Sequence, residues 1–193
     1  MIISISGKPG SGKSSVAKAI AKEFGLERYY MGRLWREKAR EKGLTLVEGL
    51  IEGETDSVTD KEIDDYQIKL GQTKDDFVIE GRTSFHFIPQ SYKIYLDVEP
   101  EEGAKRIWGD LQKNADKRNE AQQLNSVDDV IKSVARRIKS SQIRYRKYYN
   151  IDVFDPKNYD FYLDTTKIDK PGVIKKVIEQ IKKDVVTRIK ERN

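Results

Sequence analysis

The sequence predicts an α/β domain of three layers, a parallel five-stranded sheet covered by helices on both faces. Three observations predict it. Short β-branched runs at 2–6, 77–80, 93–97 and 160–164 lack polar alternation, as strands buried on both faces do. Amphipathic helical stretches alternate with them, the pattern of strands joined by crossover helices. A glycine-rich turn, GKPGSGKS, stands directly between the first strand and the first helix.

Taken in order, IISIS (2–6) is the first strand. Over 13–24, Val16, Ile20 and Phe24 fall four apart and Gly25 supplies a stop. ERYY (27–30) is the fifth strand candidate, followed by FVIE (77–80) and KIYLD (93–97). The helix over 100–112 opens on Pro100 with Glu101 and Glu102, and places Ala104, Ile107, Trp108 and Leu111 on one face. The helix over 126–147 starts at Ser126, with Asp128 and Asp129 in its first turn and Val127, Val130, Ile131, Val134 and Ile138 along it. DFYLD (160–164) precedes a last helix over 171–190, striped by Ile174, Val177, Ile178, Ile181 and Val185. Two polar or glycine-rich segments, 43–59 and 109–126, interrupt the strand and core-helix patterns.

Composition narrows the chemistry. A chain of 193 residues suits one domain, 1–193. It has no cysteine, which excludes disulfides, thiolate metal sites and cysteine nucleophiles, and its single histidine, His86, excludes histidine-rich metal sites. No apolar run reaches the length of a membrane span, and MIISIS lacks the basic region and cleavage site of a signal peptide, so the cytoplasm is the expected compartment. A net charge of +5 suits a pocket for several phosphates or a lysine-rich surface as well as nucleic acid. No stacking-aromatic or basic recognition module accompanies it, so nucleic acid is not the expected partner.

GKPGSGKS matches G-x-x-x-x-G-K-[ST], with Gly7, Gly12, Lys13 and Ser14 in the fixed places. Glycines let the loop through Lys8, Pro9, Gly10 and Ser11, and on to Ser15, turn its backbone N–H groups toward one anion. The following helix adds its unpaired N–H groups. Lys13 supplies a point charge for the β/γ-phosphates and the Ser14 hydroxyl suits Mg²⁺. The motif reads as a nucleoside triphosphate site; it leaves the fate of the γ-phosphate open.

An acceptor that is itself a phosphate calls for arginines, whose planar forks grip phosphate oxygens bidentately. Arg82 follows FVIEG at a strand end, where open α/β sheets place their ligands. Arg36 lies in MGRLWREKAR; Arg137 and Arg144, seven apart, share one side of a helix; Arg106 and Arg118 flank or occupy a polar segment able to close as a lid. Glu80 ends a core strand and suits a Mg²⁺-bound water, an ion pair with a neighbouring arginine being the alternative. Asp97 suits a cap for the helix at 100–112. His86 reads as a packed or surface imidazole, and RYRKYY (144–149) as a helix end with tyrosines on the sheet.

The glycine loop, MGRLWRE, DSVTDKEIDDYQ, FVIEGR, KIYLDVEPEEGAKRI, RRIKSSQIRYRKYY and YDFYLDTT occur in the order seen in cytidylate kinases, and the chain resembles the shorter archaeal type from about residue 1 to 182. The resemblance implies a P-loop kinase fold and a nucleoside monophosphate kinase that moves the γ-phosphate of ATP, with Mg²⁺, onto CMP or dCMP. It implies a monophosphate-binding insert at about 33–72 and a lid at about 109–126. By position, Arg36, Arg82 with Gly81, Arg137, Ser141 and Arg144 resemble monophosphate-binding residues. Asp60, Asp64 and Gln67, on one helix face, resemble the segment that closes over the monophosphate, and Arg106 and Arg118 belong with the lid. Lys13, Arg82, Arg106, Arg137 and Arg144 are the expected catalytic set. Two departures stand out: RIKSSQIR has Ser141 where the archaeal pattern has the glutamate of a Ser-Glu pair, and EGRT has Thr83 where bacterial relatives have an acid. A monomer is expected. Other readings of the same motifs are a P-loop kinase for another nucleotide or small molecule, and an ATP-dependent nucleic-acid-binding or regulatory module.

Overall fold

The computed structural model describes residues 1–118 and 124–190, the side chains of 114–118 and 185–190 excepted. The elements run β1 (Ile2–Gly7), α1 (Lys13–Phe24), β2 (Glu27–Tyr30), α2 (Met31–Glu41), α3 (Leu46–Glu52), α4 (Val58–Thr73), β3 (Phe77–Glu80) and α5 (Ser84–Phe87). Then come β4 (Tyr92–Asp97), α6 (Pro100–Arg118), α7 (Val127–Tyr149), a 3₁₀ turn (Pro156–Asn158), β5 (Phe161–Asp164) and α8 (Lys170–Lys190). The strands form one parallel sheet in the order β2-β3-β1-β4-β5. The chain therefore builds one side of β1 first and then crosses to the other. Ligands of such sheets lie past the strand ends where the order reverses, which here is the end of β1 that carries the glycine loop.

The expected three layers are present. Ile3, Ile5, Val78, Ile94 and Leu96 face α1 and α8, meeting Val16, Ala17, Ile20, Val177 and Ile181. Ile2, Phe77 and Ile79 face the other way, onto Met31, Trp35, Leu46, Leu50, Ile63 and Leu70 of α2, α3 and α4. Successive residues of a strand alternate faces, so each strand supplies both layers and reads as a continuous apolar run. A third cluster joins α6 to α7 through Ala104, Ile107, Val130 and Val134. Among the described residues no helix is long and apolar enough to cross a membrane.

Two of the expected interruptions are partly helical. The segment 43–59 contains α3, whose start carries a reciprocal cap between Thr45 and Glu48. Leu46 and Leu50 of that helix are core residues, at 3% and 5% exposure. They are two apolar positions among glycines and acids, too few to show a period of their own. Helix α6 continues six residues past 112 to Arg118, into the expected lid, while residues 119–123 lie outside the described chain. The 126–147 helix also runs further, to Tyr149, and stops at Asn150 in a left-handed conformation (φ 54°).

Candidate active site

The glycine loop wraps the start of α1. Gly12 precedes the helix at φ 90° with no side-chain cap, so the first N–H groups of α1 stay available to an anion. Gly10 (φ 84°) packs against Gly103 of α6, where a Cβ would lie 2.3 Å from the Gly103 carbonyl oxygen. Only a backbone without side chains on either part fits that contact, and Gly103 was not singled out by the sequence reading. Gly7 ends β1 at φ 142°. Lys13 arches back over the loop, its Nζ donating to the Lys8 carbonyl at 2.5 Å. Ser11 is buried, and its carbonyl accepts from the Thr165 hydroxyl at 3.3 Å. Lys8 points away to Asp97 at 2.7 Å. Asp97 thus holds the loop's flank and the sheet end, taking the Tyr162 hydroxyl as well, rather than capping α6 as expected.

Glu80 lies at the foot of the loop, 2% exposed. Its Oε2 accepts the Ser14 hydroxyl at 2.6 Å, and its Oε1 accepts Arg28 Nε at 2.6 Å. The expected acid and its alternative ion pair coexist. A hydroxyl and a carboxylate joined beneath an anion-binding loop are hard oxygen donors, a set that fits Mg²⁺ or one of its bound waters.

Two adjoining hollows open from here. The wider, about 1520 Å³, is lined by Pro9–Ser15, Lys18, Arg28, Arg106, Thr166 and Lys170. The narrower, about 110 Å³, is lined by Met31, Trp35, Leu46, Leu50, Ile63, Asp64, Gln67, Gly81, Arg82, Thr83 and Arg144. Pro9, Lys13, Tyr30, Arg36 and Arg137 line both. The fold thus brings Arg36, Arg82, Arg137 and Arg144 to one pocket beside Lys13, from positions spread over more than half of the chain.

Each arginine is held differently. Arg36 donates to the Tyr30 hydroxyl and the Gly32 carbonyl, both at 2.8 Å. Arg82 Nη1 donates to the Arg137 carbonyl at 3.3 Å and to the Ser141 hydroxyl. Burial, then the like charge of Arg137, pulls the Arg82 guanidinium down to about 10. Arg144, fully buried, donates Nη1 to both oxygens of Asp60 at 2.5 Å and stacks between Trp35 and Tyr145 at 4.8 and 4.9 Å. Its Nε and Nη2 have no hydrogen-bond partner. Ser141, fully buried, donates to the Arg137 carbonyl at 2.9 Å and brings no charge.

Asp60, Asp64 and Gln67 share the buried face of α4, as their spacing predicts. Asp64 accepts from Gln67 Nε2 at 2.7 Å, the Thr83 hydroxyl at 2.8 Å and the Tyr149 hydroxyl at 2.7 Å. Burial nonetheless pushes its carboxyl up to about 7. Thr83 is therefore tied to an acid from α4. Burial also raises Asp60, with Arg144 opposing.

Arg106 stands at the rim of the wide hollow. Its nitrogens donate to the Thr165 hydroxyl (3.1 Å), the carbonyls of Thr165 (2.8 Å) and Thr166 (3.2 Å), and Glu102 (2.8 Å). These bonds brace the turn after β5. Arg118 ends α6, and its side chain lies outside the described residues. His86 is exposed, and Tyr145 packs with Phe85 of α5 and Val153 of the loop after α7, rather than on the sheet as expected. Residues missed by the sequence reading are Arg28, Tyr30, Trp35, Tyr149 and Thr165. Trp35 and Tyr149 sit inside motifs that were read for their arginines, whereas Arg28 shows only once strand register is known.

A family model described as an AAA domain matches residues 6–125. The chain is 34% identical over 175 residues to a cytidylate kinase of Natronomonas pharaonis, covering 90% of this chain and 85% of that one. It is 36% identical over 186 residues to a cytidylate kinase of Methanocella arvoryzae, covering 95% and 99%. Among solved structures, the shikimate kinase of Bacteroides thetaiotaomicron superposes with a TM-score of 0.62 at 13% identity, covering 96% of this chain and 98% of that one. That of Acinetobacter baumannii, in complex with shikimate, gives 0.55 at 18%, covering 95% and 93%. At such identities the structures attest the P-loop kinase fold, and the sequence relatives carry the kinship further: this chain is a kinase of the cytidylate kinase family.

Proposed function

We infer that the protein transfers the γ-phosphoryl group of ATP to CMP or dCMP, giving ADP and the pyrimidine nucleoside diphosphate. The observation that carries this reading is the convergence of Arg36, Arg82, Arg137 and Arg144 in a pocket that shares Lys13 and Pro9 with the glycine loop. Four guanidiniums with Asp60 and a carboxyl that is half protonated near neutrality leave a cationic pocket. A phosphate dianion would balance it. Trp35, Leu46, Leu50 and Ile63 form the apolar wall on which a base would rest, and Arg144, which also lines this pocket, has two nitrogens without a hydrogen-bond partner to offer a nucleotide.

The loop amides and Lys13 hold the donor β- and γ-phosphates. Lys13 exchanges the Lys8 carbonyl for phosphate oxygens when the nucleotide enters. Mg²⁺, when bound beside Ser14 and Glu80, adds charge neutralisation of the β- and γ-oxygens. The acceptor's attacking oxygen is already anionic, so no general base is required. One bond forms from that oxygen to the γ-phosphorus, the bond to the β,γ-bridging oxygen breaks, and ADP leaves with the electron pair. The chain's task is positioning and charge balance, with Arg82 and Arg137 on the acceptor side and Lys13 on the donor side. Transfer to the acceptor rather than hydrolysis requires that water be kept from the γ-phosphate. Ser141, buried beside Arg82 and Arg137, stands where the archaeal pattern implies a glutamate, and on that ground another monophosphate is the second reading.

The test is ADP production from Mg-ATP with CMP, dCMP, UMP, dUMP, AMP, GMP and dTMP added singly. CMP or dCMP well ahead of the rest is the expected result. Transfer to another monophosphate reassigns the substrate, and ATP loss that no acceptor changes overturns the reading.

A further inference from the structure

Arg28 lies in the phosphate cleft without a part in either the loop or the acceptor pocket. It sits on β2 opposite Val78 of β3, while Tyr30 sits opposite Glu80. Paired residues of neighbouring strands share a face, and Val78 packs against α1. Arg28, Tyr30, Val78 and Glu80 therefore all face α1, whose first turn carries Ser14. The two oxygens of Glu80 have separate partners. Oε1 takes Nε and Nη2 of Arg28, at 2.6 and 2.5 Å, and Oε2 takes the Ser14 hydroxyl at 2.6 Å. The Arg28 side chain is 25% exposed, lies 5.4 Å from the Tyr30 ring centroid, and lines the same hollow as Lys13 and Ser14. It is a built-in cation, anchored at two points.

A buried carboxylate beside a hydroxyl would attract a divalent cation whether or not a nucleotide were present. Arg28 cancels that charge. Among the described residues, no group of three or more His, Cys, Asp or Glu is placed to hold a metal ion, so Glu80 does not belong to a cluster of that kind. We propose that Arg28 is a positioning residue for the metal–nucleotide complex. By occupying Oε1 it fixes Glu80 so that the Ser14 proton is committed to Oε2 and the Ser14 lone pairs turn toward the loop. By its charge it keeps the nucleotide-free loop from taking a divalent cation, so that Mg²⁺ enters only with the triphosphate. This inference rests on the loop's being a triphosphate site, and not on which acceptor is phosphorylated.

Two binding readouts test it: Mn²⁺ binding without nucleotide, followed by electron paramagnetic resonance, and the gain in ATP affinity that Mg²⁺ confers, followed by calorimetry against an EDTA control. Wild type should show no specific Mn²⁺ binding alone. Arg28→Met should show specific Mn²⁺ binding, at least about ten-fold tighter than the detection limit that wild type does not reach, the scale of removing one unit charge a few ångströms from the ion. Its Mg²⁺-linked gain in ATP affinity should fall by a similar factor. Arg28→Gln, which keeps a donor to Oε1 without the charge, should gain Mn²⁺ binding while holding more of the Mg²⁺-linked gain; it carries the test if Arg28→Met does not fold. Wild-type values for both quantities in the charge-free variants would overturn the proposal, as would tight Mn²⁺ binding by nucleotide-free wild type. Neither readout needs an acceptor, so a failure here and a failure of CMP transfer are told apart.

Discussion

Replacing Asp60 by Asn isolates the deepest electrostatic contact in the pocket. Arg144 and Asp60 are 0% and 1% exposed, and Arg144 Nη1 sits 2.5 Å from both carboxylate oxygens. The pair ties α7 to α4 across 84 residues of sequence. Asp60→Asn removes the carboxylate that Arg144 holds, and two further guanidinium nitrogens there already lack partners. Stranding one member of a buried pair costs about 3–5 kcal/mol. At about 2–4 °C per kcal/mol for a domain of this size, the melting temperature should fall by roughly 6–20 °C. The exposed pair Lys42–Glu52, at 38% and 41%, gives the internal control: Glu52→Gln should cost less than about 1 kcal/mol. Urea unfolding of the three proteins measures both values. Saturating CMP should restore more stability to the Asp60→Asn variant than to wild type, because its acceptor atoms would reach the orphaned donors. The double replacement Asp60→Leu, Arg144→Met should recover stability but not transfer. An Asp60→Asn cost no larger than that of Glu52→Gln would refute the reasoning.

Four further outcomes follow from the same geometry. Arg82→Ala should lower transfer at least about a hundred-fold while ATP affinity stays within about two-fold, since Arg82 lies on the acceptor side; unchanged acceptor kinetics would contradict its placement. Ser141→Glu should raise selectivity for CMP over UMP by returning an acid beside Arg82 and Arg137, and equal selectivity would mean that the base is read elsewhere. Gly10→Ala should abolish ATP binding or unfold the loop, since its Cβ would meet Gly103 backbone at 2.3 Å; normal binding by calorimetry would contradict the contact. Asp64 keeps its proton to about pH 7 in the folded chain against 3.8 for an ordinary carboxyl, so the folded state binds more protons between those values and its contribution to stability falls as pH rises through them. The stability of wild type relative to Asp64→Asn should therefore shrink between about pH 5 and about pH 7.5 in urea titrations, and parallel curves would exclude a raised Asp64.

Local features of this fold were legible in the sequence. The strand, glycine loop and helix of residues 2–24 are contiguous, and glycine, lysine and serine declare themselves by spacing alone. Arg137 with Arg144, and Asp60 with Asp64 and Gln67, were legible because helical periodicity fixes which residues share a face. What was hidden depends on distant parts of the chain. Helix α3 is short, and its two core leucines gain meaning only when α2 and α7 cover them. Arg28 reads as an ordinary charge in a half-polar strand until the register sets it diagonally across from Glu80. Asp97 looked like a cap from its position before Pro100, yet Lys8, far earlier in the chain, claims it. The glycine pair at 10 and 103 is likewise invisible until α6 docks on the loop.

The account's central claim is that the donor loop and the arginine pocket form one machine for phosphate-to-phosphate transfer. It is tested most directly by following the label from ATP carrying a radioactive γ-phosphate, with CMP and Mg²⁺, in wild type and in Lys13→Met. The account predicts that wild type places the label in the terminal phosphate of CDP, with little free phosphate, and that Lys13→Met places almost none there. Label released as inorganic phosphate at a rate that CMP does not alter would contradict it.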